Sequence, residues 1–393
     1  MKKIGVAVIG CGFAGNFHSN AWRKVTGIDI RLVAAVDNDA KRAQDLKEKW
    51  DYGYATADYD SVLRDPKVDV IDIALPPLLH LPFAYKAMEA GKHVICDKPL
   101  TGYFGREGDP APIGDMVPKR KMYENILSDL REAKKRLSGS DRLFMYAENY
   151  IYSPAIVKAA EILQKKKSRI LYMNAECSVH GSSSLLSRHW NLVGGGSIMR
   201  LGSHPIAGVL YLKGVEAQAN GREVHPVSVV AETGRIAAAL PEESKKYILS
   251  RPEDVEDFGQ VTISFSDGSR AVVLSSDHYM GGIRNFINLI TNDGVLECLM
   301  TPADNMRSYF MDSEGLDDVY LSENLQCKTG WNNVFVAEET LRGYIGELQA
   351  FARNISDGSE PESGLDLALR TTQIMYAAYV SAEEGRRVML DEA

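Results

Sequence analysis

The 393-residue chain lacks any run of about 18 apolar residues, so no membrane-spanning helix is expected. Cysteine is scarce: Cys11, Cys96, Cys177, Cys298 and Cys327 are odd in number, scattered, and form no C-x-x-C pair. That excludes a disulfide scaffold and fits reduced thiols, hence an expected cytoplasmic location. Positive charge is in deficit, with 45 Lys and Arg against 53 Asp and Glu, a net of −8. A duplex-binding protein presents a basic face, so no nucleic-acid partner is expected. Internal repeats and low-complexity tracts are absent. No spacing of His, Cys, Asp and Glu matches a metal site, so no metal is expected. A leader peptide is also hard to find. Met1-Lys2-Lys3, Ile4 to Gly10 and Cys11 mimic a short lipoprotein signal, but an apolar core of seven residues sits at the lower limit.

What is present is an ordinary globular composition, 45% apolar and 25% charged, at a length that fits two or three domains of roughly 150 residues each. Ile4 to Ile9 reads as a strand buried on both faces. It runs into Gly10-Cys11-Gly12-Phe13-Ala14-Gly15, a G-x-G-x-x-G turn, and then into a helix-compatible stretch from Ala14 to about Lys24. A second strand, Arg31 to Val36, ends in Asp37, which follows Gly15 by 22 residues. Each part has a task in a dinucleotide site. Gly10 permits the tight turn, Gly12 lets backbone approach a pyrophosphate, and Gly15 lets helix pack on strand. The phosphates then rest on the free N–H groups and positive end of the helix, at Phe13 and Ala14. Asp37 would accept the ribose hydroxyls and repel a 2′-phosphate. Asn38, not an arginine, follows it, so NAD is the expected cofactor.

Strand and helix signals then alternate: helices over Ala40–Trp50, Leu81–Ala90 and Lys121–Leu137, a short turn over Tyr59–Arg64, and strands over Val68–Leu75, Lys92–Cys96 and Arg142–Ala147. This predicts an α/β, doubly wound parallel sheet over residues 1–149. Residues 150–393 differ. After a helix over Ala155–Gln164 come strand-like segments at Ile170–Cys177, Val224–Ala231, Gln260–Phe265, Ala271–Ser276, Ile283–Thr291 and Gly294–Leu299. Two long helices, Thr340–Ser356 and Leu365–Glu384, close the chain. The expectation is an α+β domain with a large, open-faced, mainly antiparallel sheet. Its bare face would need cover, which predicts a homo-oligomer.

Three further segments carry a family likeness: Val68 to His80 (VDVIDIALPPLLH), Ala90 to Leu100 (AGKHVICDKPL) and Gly194 to His204 (GGGSIMRLGSH). With the glycine turn and the terminal Ser381 to Val388, they resemble the glucose–fructose oxidoreductase / inositol dehydrogenase / MocA family. The resemblance implies a Rossmann domain, a second α+β domain, and oxidation or reduction of a sugar or cyclitol hydroxyl with a nicotinamide cofactor. It makes Lys98 the lysine of the family's Glu-Lys-Pro motif and His204 the histidine closing the glycine-rich one. Leu75, Pro76, His80, Asp97 and Lys98 would border the nicotinamide half of the cofactor. A histidine can take the hydroxyl proton, and an ammonium favours developing alkoxide character. His204 is thus the expected base and Lys98 the polarising group. Glu148, Tyr150, His180, Trp190 and Arg200, with His189, are candidates to line a sugar pocket, and His18 reads as structural.

Departures from the family pattern shape the rest. Asp97 replaces the usual glutamate. Arg200 stands four residues before His204, where the resemblance implies an aspartate, and Ala207 replaces a frequent acid. Another acid, Glu148 or Glu176, would then orient the base, or Arg200 would grip a strongly polar substrate. Gly102 to Lys121 is an insertion with four glycines and three prolines, expected to form a loop shaping entry of a bulky substrate, with Lys119-Arg120-Lys121 a solvated helix start. The expected activity is NAD-dependent oxidation of a secondary ring hydroxyl of a sugar or glycoside, resembling the glucoside 3-dehydrogenase branch. The alternatives are an inositol or free-sugar dehydrogenase, and a non-catalytic NAD-binding regulator.

Overall fold

The computed structural model describes residues 3–390 apart from 183, 302–305 and 323–326; Met1 and Lys2 of the leader-like segment therefore lie outside the described residues. Lys3–Ile9 (β1) is a buried central strand. Phe13–Trp22 (α1), Asp29–Val36 (β2), Ala40–Trp50 (α2), Tyr54–Thr56 (β3), Tyr59–Leu63 (α3), Val70–Ile73 (β4), His80–Glu89 (α4), His93–Asp97 (β5), Ile113–Met116 (α5), Lys119–Leu137 (α6) and Phe144–Ala147 (β6) follow. The six strands are parallel in the order β3-β2-β1-β4-β5-β6. Chain direction reverses its winding between β1 and β4. An open parallel sheet places its ligand at that switch point, outside the carboxyl ends of the strands. Gly10, Leu75, Lys98 and Glu148 all lie just beyond those ends.

Pro154–Lys166 (α7), Ile170–Val179 (β7), Trp190–Val193 (α8), Ser203–Ala219 (α9), Pro226–Gly234 (β8), Phe258–Phe265 (β9), Arg270–Ser276 (β10), Ile283–Thr291 (β11) and Val295–Leu299 (β12) build the second half. Met306–Phe310 (β13) and Gly330–Val334 (β14) pair as a separate hairpin, and Val388–Met389 (β15) ends the described chain. The second sheet runs β12-β11-β7-β10-β9-β8-β15 and is antiparallel except at β7–β10. Helices α7, α9 and Leu365–Glu384 at the C-terminus pack on one face. Among the described residues the other face is bare, with Tyr172, Val230, Val272 and Val295 exposed.

Two elements differ from expectation. Helix α9 has no apolar stripe to find, because 13 of its 17 residues are buried; a helix covered on every side is apolar all round. The helix expected over Thr340–Ser356 is two helices, Glu338–Leu341 (α10) and Tyr344–Asp357 (α11), with Leu365–Glu384 as α12. The break is at Gly343, where φ is 94° and a Cβ would stand 2.0 Å from the Asn149 carbonyl oxygen. Only glycine allows that approach. The kink leaves carbonyls of the α10 end free to accept from Asn149 Nδ2 (to Arg342, 2.8 Å) and Ser153 Oγ (to Leu341, 2.7 Å).

Candidate active site

The glycine turn is built as a phosphate cradle. Gly10 has φ 101°, and a Cβ on Gly15 would lie 2.0 Å from the Gly10 carbonyl. A Cβ on Gly12 would meet nothing within 4 Å. Gly12 is thus not needed for the fold; its bareness leaves room above the N-terminus of α1, which has no side-chain cap and no acid in its first turn. Asp37 folds over the same turn, its Oδ2 accepting from Cys11 N at 2.8 Å and its Oδ1 from Asp39 N at 2.9 Å. The free helix end and half-exposed acid fit a dinucleotide's pyrophosphate and ribose.

The second cluster begins at the strand tips. Asp97 Oδ1 accepts from Lys98 N at 2.7 Å, and Lys98 Nζ donates to the Arg200 carbonyl at 2.7 Å. That carbonyl belongs to a π-helical turn, Ile198–Gly202, that runs into α9. A π turn pairs each carbonyl with the N–H five residues on. For Arg200 that residue is Pro205, which has no N–H, and the Lys98 ammonium bonds the carbonyl instead. The geometry joins the lysine motif to the histidine motif across 102 residues.

His204, at the start of α9, donates from Nδ1 to Glu148 Oε1 at 2.7 Å, and the Tyr150 ring stacks on it at 4.3 Å and 10°. Glu148 is fully buried at the end of β6, and the same oxygen accepts from Tyr150 N at 3.3 Å. Burial lowers the proton affinity of His204. The Glu148 carboxylate opposes that and the Lys98 ammonium adds to it, leaving the imidazole below its ordinary 6.5. With Nδ1–H committed to Glu148, the lone pair resides on Nε2. On the other wall, His18 Nδ1 meets Asp72 Oδ1 at 2.8 Å. Burial disfavours its charge, but Asp72, with smaller help from Asp97 and Glu347, outweighs burial and raises the pKa to about 10, making His18 a buried imidazolium.

Phe13, Ala14, Lys98, Arg200 and His204 line one cavity of about 540 Å³ between the two sheets. The lysine and histidine of the two motifs therefore share a chamber with the glycine turn. Residues 4–105 match the profile of the oxidoreductase family with an NAD-binding Rossmann fold. Over those residues the chain is similar to the Gfo/Idh/MocA oxidoreductases. It is similar to the levoglucosan dehydrogenase of Pseudarthrobacter phenanthrenivorans, 28% identical over 54% of this chain and 52% of that protein. It is similar also to the D-glucoside 3-dehydrogenase of Escherichia coli, 26% identical over 54% of each. The chain thus spans about half the length of these relatives in alignment. A crystal structure of GenD2 from gentamicin A biosynthesis in complex with NAD superposes over all of this chain and 97% of that one, with TM-score 0.76 and 22% identity.

The structure places several of the expected site residues away from the cavity. Of the two acids expected to orient His204, Glu148 meets it at 2.7 Å, whereas Glu176 pairs with Arg284 at 3.1 Å. Tyr150 is buried under the imidazole with its hydroxyl 3.4 Å from Cys177 Sγ. His80 does not reach the cavity: its ring nitrogens bond the carbonyls of Pro99 (2.8 Å) and Leu75 (2.7 Å), tying two strand tips together from behind. His180 Nε2 donates to the Tyr247 carbonyl at 2.8 Å, outside the cavity lining. Trp190 is also spent elsewhere, its Nε1 donating to the Tyr103 carbonyl at 2.9 Å and its ring under Lys119 Nζ at 4.8 Å. His189 is absent from the cavity wall as well. Arg200 does line it, but its guanidinium is paired with Asp277.

The insertion is a buttress rather than an entry loop. Tyr103 is buried, Gly114 N donates to Asp254 Oδ2 at 2.9 Å, and none of residues 102–121 lines the cavity. Nor is its basic triplet free: Arg120 forks onto Glu384 at 2.9 and 3.0 Å, and Lys121 reaches Asp109 at 2.6 Å. Sequence reasoning missed Glu347 and Asn285, which both line the cavity. A signal existed for each: Asn285 interrupts the inward row Ile283, Ile287, Leu289 of β11, and Glu347 sits on the buried stripe Leu348, Phe351, Ile355 of α11.

Proposed function

We propose that the protein oxidises a secondary ring hydroxyl of a sugar or glycoside, with the C3 hydroxyl of a glucoside as the favoured position. The observation that carries this is the placement of a neutral, Glu148-held His204 and the Lys98 ammonium on one cavity with the glycine turn. The likeness to the levoglucosan and glucoside dehydrogenases supports the substrate class.

NAD, bound on the α1 N-terminus, supplies the hydride acceptor. The protein's own residues handle the proton. His204 Nε2 takes it from the substrate hydroxyl as general base. The Lys98 ammonium, fixed on the Arg200 carbonyl, sits where negative charge develops on that oxygen and stabilises it. Glu148 holds the ring in the correct tautomer and stabilises the imidazolium once formed. Tyr150 stacking and burial keep the ring from rotating. The bare face of the second sheet supports assembly as a homo-oligomer.

The test is NADH formation, followed by its near-ultraviolet absorbance, with a panel of methyl glucosides, free sugars and inositols. Glucosides should give the highest kcat/KM, and His204→Ala and Lys98→Ala should each lower it by roughly 10²–10⁴. A panel led by inositol would reassign the substrate, and flat traces with intact NAD binding would mark a non-catalytic NAD-binding regulator.

A further inference from the structure

The cavity holds polar groups that the proton chemistry does not use. Asn285 is 1% exposed, and neither its side-chain oxygen nor its nitrogen has a partner. Its backbone is fully engaged: the N–H donates to Thr301 Oγ1 at 2.8 Å and the carbonyl accepts from Met300 N at 3.0 Å. Strand β11 is hydrogen-bonded on both sides, by β7 and β12, so the amide projects from a rigid support. Across β7 its register neighbour is Cys177, whose sulfur meets Tyr150, the ring stacked on His204. Asn285 is thus three contacts from the base, on the cavity wall. Glu347 joins it from α11, also 1% exposed, with Oε1 unpartnered. Burial, aided by Glu148 and Asp97 and opposed by His18, raises its carboxyl well above the usual range.

Such groups are costly in a protein interior unless something bonds them. Nothing in the packing explains an asparagine there. The flanking inward positions Ile283 and Ile287 are aliphatic, and a third aliphatic side chain would complete the row. A primary amide presents one donor and one acceptor side by side. That pair matches two adjacent hydroxyls of a ring, one accepting from Nδ2 and one donating to Oδ1.

We propose that Asn285, with Glu347, is the specificity-determining element of the cavity, reading a vicinal pair made of the hydroxyl addressed by His204 and Lys98 and its neighbour on the next ring carbon. The inference rests on the carbohydrate reading above and narrows it to substrates with an unsubstituted hydroxyl vicinal to the reacting one.

The experiment is calorimetric titration of the NADH-loaded protein with methyl β-D-glucopyranoside and its 2-, 4- and 6-deoxy analogues, with turnover of each followed in parallel. Wild type should bind the parent roughly 10-fold or more tightly than at least one deoxy analogue, the scale of one lost hydrogen bond in a buried site. In Asn285→Ala that preference should vanish, with NADH affinity unchanged. Asn285→Asp, isosteric but without the donor, keeps the strand packed and should retain only part of the preference. Glu347→Gln should shift preference among the analogues and leave NADH affinity alone. Equal binding of parent and analogues by wild type, or undiminished discrimination in Asn285→Ala, overturns the proposal. Discriminating binding without turnover would sink the oxidation reading and leave this one standing.

Discussion

Glu148 Oε1 lies 2.7 Å from His204 Nδ1 with both side chains buried, one at the tip of the sixth strand of the nucleotide-binding sheet and the other at the start of a helix under the second sheet. The pair couples the two halves of the molecule at the proposed reacting centre. Glu148→Gln keeps the shape but offers an amide that can hold either tautomer of the imidazole. The expected result is a fall in kcat of roughly 10²–10⁴ with NAD affinity unchanged, measured by steady-state kinetics beside nucleotide titration. A loss confined to KM would make Glu148 a substrate contact and not a positioning residue.

The same pair sets a pH dependence. His204 works as a base only when neutral, and its proton affinity in the folded protein is below the ordinary 6.5, chiefly through burial. Activity should therefore persist as pH falls through 6.5 and decline only below it. Glu148 pulls the value up, so removing its charge should move the acid limb further down. The kcat/KM profile of wild type and Glu148→Gln checks both points. An acid limb at or above 6.5 would exclude a buried His204 as the base.

His18 behaves in the opposite sense. Burial disfavours its charge, yet the Asp72 carboxylate, with smaller contributions from Asp97 and Glu347, raises it to about 10, above its ordinary 6.5. A raised histidine gives stability that is complete below the unfolded value and is lost as pH rises through the folded one. The His18 contribution should therefore be intact at pH 6 and fade towards pH 10. Asp72→Asn leaves the imidazole buried without its counter-charge, and Trp22 Nε1 without the carboxylate it donates to at 2.8 Å. A loss of about 3–5 kcal/mol is expected at neutral pH, narrowing in alkali. Denaturant unfolding at several pH values measures this.

The glycine turn gives a pair of variants with different readouts. Gly15→Ala puts a methyl group against the Gly10 carbonyl, so it should lower the melting temperature. Gly12→Ala has open space around it and should melt like wild type while binding NAD more weakly, because the methyl occupies the cradle. Differential scanning fluorimetry with and without NAD separates the two effects.

Legibility followed pattern strength. The parallel sheet is readable because its buried strands are nearly unbroken apolar runs and the intervening helices carry a period, and the glycine turn because it needs a fixed order of small residues. Helix α9 is not, since a helix buried on all sides has no polar face to mark its period. Lys98 and His204 are found by motif, but the bond from Lys98 to the Arg200 carbonyl, which ties the two motifs together, is invisible because it joins residues 102 apart in sequence. Glu148 reads from sequence either as a sugar ligand or as the acid orienting His204, and only the 2.7 Å distance between them separates the two. The insertion was misjudged for a different reason: glycine and proline announce irregular backbone, but not whether that backbone is packed. Asn285 and Glu347 each break an apolar row, a signal that period counting discards as noise.

That packed insertion yields the last prediction. Tyr376, on the C-terminal helix, accepts from Tyr103 N at 2.5 Å and donates to the Gly194 carbonyl at 2.6 Å. One hydroxyl thus pins the start of the insertion to the glycine-rich segment that leads into His204. Tyr376→Phe preserves the ring, which is fully buried, and deletes only that bridge. It leaves one buried N–H and one buried carbonyl without their partner, which costs about 1–3 kcal/mol. The glycine-rich segment also carries the Arg200 carbonyl that anchors Lys98, so loosening it should lower kcat while NAD affinity holds. Unfolding midpoints, kcat and nucleotide titration on one preparation test the chain of effects. A variant that loses stability but keeps full kcat would show that the insertion buttresses the fold alone and not the placement of Lys98 and His204.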